Sequence, residues 1–194
     1  LGERRRAVAP GAWTWLRQVH GDGVVTVTAP GEGAGRDADA AVTAVPGAVL
    51  AVGVADCAPV LLTSPDGVVG AVHAGWRGVA AGVVERAVAA MAALGAGRVD
   101  AVVGPCIGPE CYEFGADDLA QVVAALGPSV AAATAAGRPA LDLVAAVRVA
   151  AARAGVATVD AVGRCTACEP GAFFSHRARR DAGRQVGVVW LAAA

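Results

Sequence analysis

Seven short runs of Val, Ala and Leu, at residues 24–28, 48–54, 60–63, 68–72, 99–103, 156–162 and 186–191, are bounded by Gly, Pro or Asp. Branched side chains pack well on a pleated surface and lose rotamer freedom in a helix, so runs of this length between turn residues favour strands. Residues 79–94 follow another period. Val83, Ala87, Met91 and Leu94 share one helical stripe, and Gly95 supplies a C-terminal stop. Residues 117–126 and 139–154 also have helical spacing, an Ala-rich composition and Gly127 and Gly155 as terminators. The resulting order is several strands, helix, strand, helix, helix, strand, strand, which lacks the strict alternation of a doubly wound sheet. It implies a mixed α/β (α+β) fold, a layered mixed β-sheet with flanking helices.

A chain of 194 residues is long enough for one substantial core and short for two, so a single domain over residues 1–194 is expected. The stretches 31–36 and 128–138 read as loops, and neither is long or polar enough for an interdomain linker. Hydrophobic residues make up 56% of the chain but aromatics only 4%, so the core must be built from small aliphatic side chains. All basic residues are Arg, and the formal net charge is −1, which leaves no global footprint for nucleic acid. The local clusters Arg4, Arg5, Arg6 and Arg177, Arg179, Arg180 read as solvated surface. The most apolar stretch, 47–55, ends at Asp56 and is too short to cross a bilayer, and the N-terminal Arg triplet lacks the apolar segment of a secretory signal. A cytoplasmic setting and no membrane partner are expected. Five cysteines, an odd count, fit a reducing compartment.

Of three histidines, two sit in constrained settings, His20 in QVHG and His73 in HAGWRG, with Cys57 between them in ADCAP. Each segment lies at the end of a predicted strand or just before one, where loops converge at a sheet edge. One thiolate and two imidazoles are a common zinc ligand set, and three protein ligands leave a fourth position open for water or substrate. The separations of 37 and 16 residues match no local zinc-finger spacing, so an inert core cysteine remains the competing reading from spacing alone. Arg77 lies in a Gly-bracketed turn ahead of the predicted 79–94 helix and is either an anion ligand or an ion-pair partner. Trp76 is placed to stack on a base or to anchor packing. Cys106, Cys111, Cys165 and Cys168 form two closely spaced pairs, open to a second metal site or to buried thiols near the pocket.

The ordered motifs RQVHG, DADAAVT, VADCAPVLL, AVHAGWRG, GPCIGPECYEFG, LDL, CT and FFSHRARRDAGRQ run from Arg17 towards the C-terminus. They resemble the YfiH family, also called the laccase-domain or polyphenol-oxidase-like family and, more recently, purine nucleoside phosphorylases. The resemblance implies a YfiH-like fold and one zinc per chain, held by His20, Cys57 and His73. It also implies phosphorolysis of adenosine, inosine, guanosine or methylthioadenosine, with adenosine deamination as a second activity. The expected partners are then a small purine nucleoside and phosphate. Asp56 is the expected proton-transfer group, Arg77 the phosphate cradle, and Gln18, Trp76 and Cys106 further substrate-pocket residues. His176 stands where family members commonly have Tyr, as a minor candidate. Members usually carry several dozen more residues before QVHG, whereas nineteen precede His20 here, so 1–16 reads as the remnant of a shortened N-terminal region.

Four coppers need many imidazoles, so three histidines argue against copper as the physiological metal and against a laccase. Two rival classes are a metal-independent Cys-His hydrolase, with Cys57 as nucleophile and His73 as base, and a non-catalytic zinc-stabilised module. The hydrolase reading includes an amidase acting on peptidoglycan precursors.

Overall fold

The computed structural model describes residue 5 and residues 7–192 of the chain. Arg4 and Arg6 of the N-terminal triplet, and most of the stretch before Ala7, lie outside the described residues. Six strands form one mixed sheet: β10 (Thr158–Ala161), β7 (Asp100–Val103), β5 (Ala58–Ser64), β6 (Val68–Ala74), β3 (Ala40–Thr43) and β2 (Val24–Thr26), in that spatial order. The three antiparallel pairs around β5 and β6 are flanked by parallel pairs, β7 with β10 and β2 with β3. A second sheet places β4 (Ala48–Val54) between β1 (Ala12–Trp15), parallel to it, and β11 (Gln185–Trp190), antiparallel. A small hairpin joins β8 (Ala131–Ala133) to β9 (Pro139–Leu141).

The helices are α1 (Trp76–Ala81), α2 (Val83–Ala93), α3 (Ala116–Leu126), α4 (Leu143–Arg153) and the single turn α5 (His176–Arg179). Residues of α1 to α4 cover one face of the six-stranded sheet, and the three-stranded sheet covers the other. The period-two geometry of β6 shows how one strand serves both layers. Val68, Val72 and Ala74 enter the helix-side core, while Val69 and Ala71 enter the inter-sheet core. His73 shares the parity of Val69 and Ala71, so it belongs to the inter-sheet face at the end of the strand. A strand buried on both faces has no polar alternation, which is why β6 and β4 read as continuous apolar runs.

The single helix expected over 79–94 is two helices, and the one expected over 139–154 is a strand followed by a helix. Gly82 adopts φ +93°, a left-handed conformation that ends α1 and starts α2. The predicted stripe survives in α2, where Val83, Ala87 and Met91 are fully buried. Met91 packs where Gly70 leaves room, since a Cβ on Gly70 would stand 3.2 Å from its sulfur. Asp142 caps α4 by accepting the Ala145 amide at 2.8 Å, so the segment before it is free to pair with β8. Strands β1 and β3, and β8 inside the expected 128–138 loop, were not expected from periodicity. Among the described residues no helix is long and apolar enough to cross a membrane.

Gly82→Ala forces a Cβ into the left-handed region while meeting no close neighbour. It should therefore destabilise by about 1–2 kcal/mol through backbone strain alone. Thermal unfolding followed by circular dichroism should show Tm falling by about 2–4 °C per kcal/mol, with the native spectrum retained.

Candidate metal centre

Strand register brings the sequence-separated motifs together. Ala58 pairs with Ala74 and Pro59 with His73, so Cys57, just ahead of β5, meets the end of β6. Ala40 pairs with both Val72 and Val24, which sets the His20 loop, ahead of β2, at the same end of the sheet. The Cys57 sulfur lies 3.9 Å from His20 Nε2, and the two imidazole rings meet edge to face with centroids 4.8 Å apart. One ligand atom from each of His20, Cys57 and His73 lies within 4.8 Å of the others.

The approach requires missing side chains. A Cβ on Gly75 would stand 2.8 Å from the His20 ring, and one on Gly78 would stand 2.8 Å from the Gly21 carbonyl oxygen. The two glycines of HAGWRG thus let the backbone close against the QVHG loop. His20 at φ +59° and Asp56 at φ +93° are two of three non-glycine residues with positive φ among the described residues. Strain at a residue of the cluster and beside another is held by tertiary contacts.

Asp39 supplies the strongest of these contacts. Its Oδ1 accepts the His20 amide at 2.9 Å and the His73 Nδ1–H at 2.7 Å, and its Oδ2 accepts the amides of Val19 at 3.2 Å and Gly21 at 2.8 Å. Burial raises the Asp39 carboxyl, but the His73 bond and the Gly21 and His20 amides outweigh it and hold it below the usual range. With Nδ1 bonded to Asp39, Nε2 is the ring nitrogen left to face a metal ion, the arrangement of a metal-binding imidazole backed by a carboxylate. Burial also raises the Cys57 thiol, yet hydrogen bonds to His20 and His73 bring it down to about 7. For His73, burial works downwards while Asp39 and Cys57 lift it to about 9. Tetrahedral zinc, with bonds of about 2.0–2.3 Å, separates its ligand atoms by roughly 3.3–3.8 Å. The donor set and the 3.9 Å separation of sulfur from imidazole fit a divalent metal ion of borderline softness.

The cluster opens into a cavity of about 520 Å³. Its lining includes Gln18, Val54, Asp56, Tyr112, His176, Arg177 and Arg184 as well as the three putting donors into it. Gln18 reaches this wall with its amide engaged, pairing with both the N–H and the C=O of Gly53 at 2.9 and 2.8 Å. Asp56 accepts the Thr166 hydroxyl at 2.7 Å on Oδ1 and the Arg177 amide at 2.6 Å on Oδ2. Arg77 is placed elsewhere: it is exposed, lies outside the lining and stacks on Trp76 at 4.3 Å. Its helix has six residues because Gly82 interrupts it. The guanidinium groups of the lining belong instead to Arg177 and Arg184. Trp76 packs edge to face on Phe114 at 5.3 Å, also outside the lining. Cys106 is buried behind the site, where burial pushes its thiol up to about 12. Sequence reasoning missed Asp39, Tyr112, Thr166 and Arg184 as site residues and read Arg177 as surface. The one available signal was for Asp39, an acidic residue set among alanines directly ahead of an apolar run.

Residues 3–192 match the family described as multi-copper polyphenol oxidoreductase laccase. The chain belongs to that family. It is 44% identical over 196 residues to a Streptomyces griseus protein named purine nucleoside phosphorylase ORF3, covering 97% of this chain and 78% of that one. A Streptomyces coelicolor protein also named purine nucleoside phosphorylase is 44% identical over 195 residues, covering 98% and 80%. Among solved structures, YlmD from Geobacillus stearothermophilus superposes with a TM-score of 0.87 at 31% identity, covering 97% of this chain and 79% of that one. The Bacillus licheniformis protein YfiH gives 0.86 at 27% identity, covering 97% and 78%. The mixed α+β fold with layered sheets is therefore the YfiH-type fold of these neighbours.

Asp39→Asn removes the charge that orients His73 while keeping the side-chain shape. Its affinity for zinc, measured by competition with a chromophoric chelator, should fall by about 10–100-fold.

Proposed function

We propose that the chain is a zinc-dependent purine nucleoside phosphorylase acting on adenosine, inosine, guanosine or methylthioadenosine. Its zinc would be held by His20, Cys57 and His73. The observation that carries this reading is the Asp39-oriented donor trio on the floor of a cavity whose wall contains Arg177 and Arg184. The names of the Streptomyces relatives support the same reaction class. A metal ion bound there would supply Lewis-acid charge at the cavity floor.

The rest falls to the chain's own residues. In phosphorolysis a phosphate oxygen forms a bond to the ribose C1′, the bond from C1′ to the purine N9 breaks, and its electron pair leaves with the base. Phosphate must be held against its own negative charge, and guanidinium groups do this with fixed, planar donors. Arg177 is itself positioned, with its amide on Asp56, one side-chain nitrogen on the Glu113 carbonyl at 2.7 Å and its plane over the Tyr112 ring at 4.9 Å. Asp56, the group expected to move a proton in adenosine deamination, has a hydrogen bond on each carboxylate oxygen. That arrangement suits a structural anchor, and it favours phosphorolysis over deamination as the principal activity.

A second reading has its own observation. Cys57, His73 and Asp39 form a connected thiol–imidazole–carboxylate series with the thiol near neutral in pKa, as a Cys-His hydrolase requires. The metal decides between the two, because a thiol hydrolase works without one.

Purified protein incubated with adenosine and phosphate should release adenine, followed by chromatography together with inosine and hypoxanthine. Chelator should abolish turnover and added zinc should restore it. Turnover of an amide substrate that survives chelation would instead establish the hydrolase, and zinc-loaded protein with no purine turnover would sink the phosphorylase.

Arg177→Ala should lower kcat/KM for phosphate by about 10–100-fold, the loss of a charge-assisted hydrogen bond worth about 1.5–3 kcal/mol. Arg77→Ala should leave it within about twofold, since an exposed Arg stacked on Trp76 lies outside the cavity lining. Steady-state kinetics with phosphate as the varied substrate reads both.

A further inference from the structure

The two cysteine pairs of the sequence do not gather as four thiols. Cys106 turns into the core, while Cys111, Cys165 and Cys168 come together with Glu110, one ligand atom from each lying within 4.8 Å of the others. We propose that Glu110, Cys111, Cys165 and Cys168 bind a second, structural zinc ion, separate from the His20, Cys57 and His73 centre.

The donor set is closed. Three sulfurs and one carboxylate fill a tetrahedral shell with no position left for substrate, which is the mark of a structural site. The fold delivers these donors from two neighbouring loops. Strands β7 and β10 run parallel, and a bridge between Cys106 and Cys165 continues their pairing beyond the strand ends. Past that bridge, one chain turns through the 3-10 segment Pro109–Cys111 and the other through the tight turn 165–168. Cys111 and Cys168 face each other with sulfurs 3.3 Å apart, and Cys168 stands 3.5 Å from Glu110 Oε1.

The Gly108 amide donates to the Cys165 sulfur at 3.2 Å, which orients that sulfur within the cluster. The Glu110 carboxylate folds back over Gly108, into the space a Cβ there would occupy. The sulfurs carry no disulfide. Arg164, next to Cys165, is paired with Glu169, so its charge is already committed beside the cluster.

A metal at this position would brace the cavity wall. Thr166, inside the C-x-x-C turn, donates its hydroxyl to Asp56, and the Thr166 and Ala167 carbonyls accept from Arg179 of α5. The ion would therefore fix the loop that holds both Asp56 and the helix carrying Arg177.

The full chain, purified under reducing conditions, loaded with zinc and freed of excess, should carry about two zinc ions per chain by elemental mass spectrometry. Cys111→Ser with Cys168→Ser should retain one, and His20→Ala with His73→Ala should also retain one. Replacing zinc by cobalt(II) in the latter variant should give a near-ultraviolet sulfur charge-transfer band roughly threefold stronger per metal than that of the serine variant, in proportion to three thiolates against one. If the serine variant does not fold, one cobalt(II) per chain with a sulfur charge-transfer band in the histidine variant decides the matter alone, since that variant lacks both imidazoles of the first cluster. A wild-type stoichiometry of one that the histidine variant loses entirely would overturn the proposal. So would a cobalt(II)-loaded histidine variant without sulfur bands, or a Cys111–Cys168 disulfide in the reduced preparation. None of these outcomes depends on purine turnover.

Discussion

A carboxylate has about four lone-pair sites, and at Asp39 all are filled from two directions, two amides and an imidazole from different segments sharing its oxygens with a third amide. The side chain is fully buried, so its charge is costly unless every site is partnered. Saturation resolves that cost and makes the arrangement all-or-none, because withdrawing any donor leaves a buried anion short of a partner. The Val19 to Gly21 turn, with His20 at positive φ, is thereby fixed to the end of β6. The backbone repeats the link, since the His73 amide donates to the Asp39 carbonyl at 2.7 Å. The donor trio is thus an outcome of how β3 closes against β6 and the loop ahead of β2.

Layer geometry then decides which way the cluster faces. Because side chains alternate along β6, His73 is committed to the inter-sheet side once Val72 and Ala74 are committed to the helix side. The cavity opens at the sheet end, where β4 and β11 of the second layer bring Gly53, Val54 and the segment containing Arg184 alongside. Small residues make this possible. Glycines at 75 and 78 let the backbone meet the His20 ring and the Gly21 carbonyl directly.

Much of the sheet was legible in the sequence. The 48–54 run is β4 to the residue, and residues 60–63 and 68–72 lie within β5 and β6, because strands buried on both faces are apolar throughout. Strand β3 escaped notice because it has four residues and no alternation, and β1 because Trp and Thr interrupt an apolar pattern. The break at Gly82 was hidden because a single glycine barely disturbs a helical stripe and its φ is set by tertiary packing. His20, Cys57 and His73 could be grouped by their chemistry. Asp39 could not, since its role depends on a register that places it beside His20 and His73, 19 and 34 positions away. Likewise Arg77 has the sequence position of an anion ligand, ahead of a helix, whereas the cavity lining includes Arg184 and Arg177, the latter in a cluster that reads as solvated surface.

One residue also joins the two donor clusters across long sequence distances. Asp56 sits one residue before Cys57, and its backbone carbonyl accepts the Ile107 amide at 2.9 Å while its carboxylate holds Thr166 and Arg177. Ile107 precedes the Glu110–Cys111 turn, and Thr166 follows Cys165. Every loop of the sulfur-rich cluster therefore bonds to the residue adjoining the first centre. Asp56 at φ +93° cannot relax its backbone without breaking those bonds, so its strain is balanced by both loops together. An ion that fixed the Cys111 and Cys168 loops would restrict the Asp56 turn next to Cys57 through these bonds. The two clusters are in this way linked through a single residue whose two carboxylate oxygens and backbone carbonyl are all engaged.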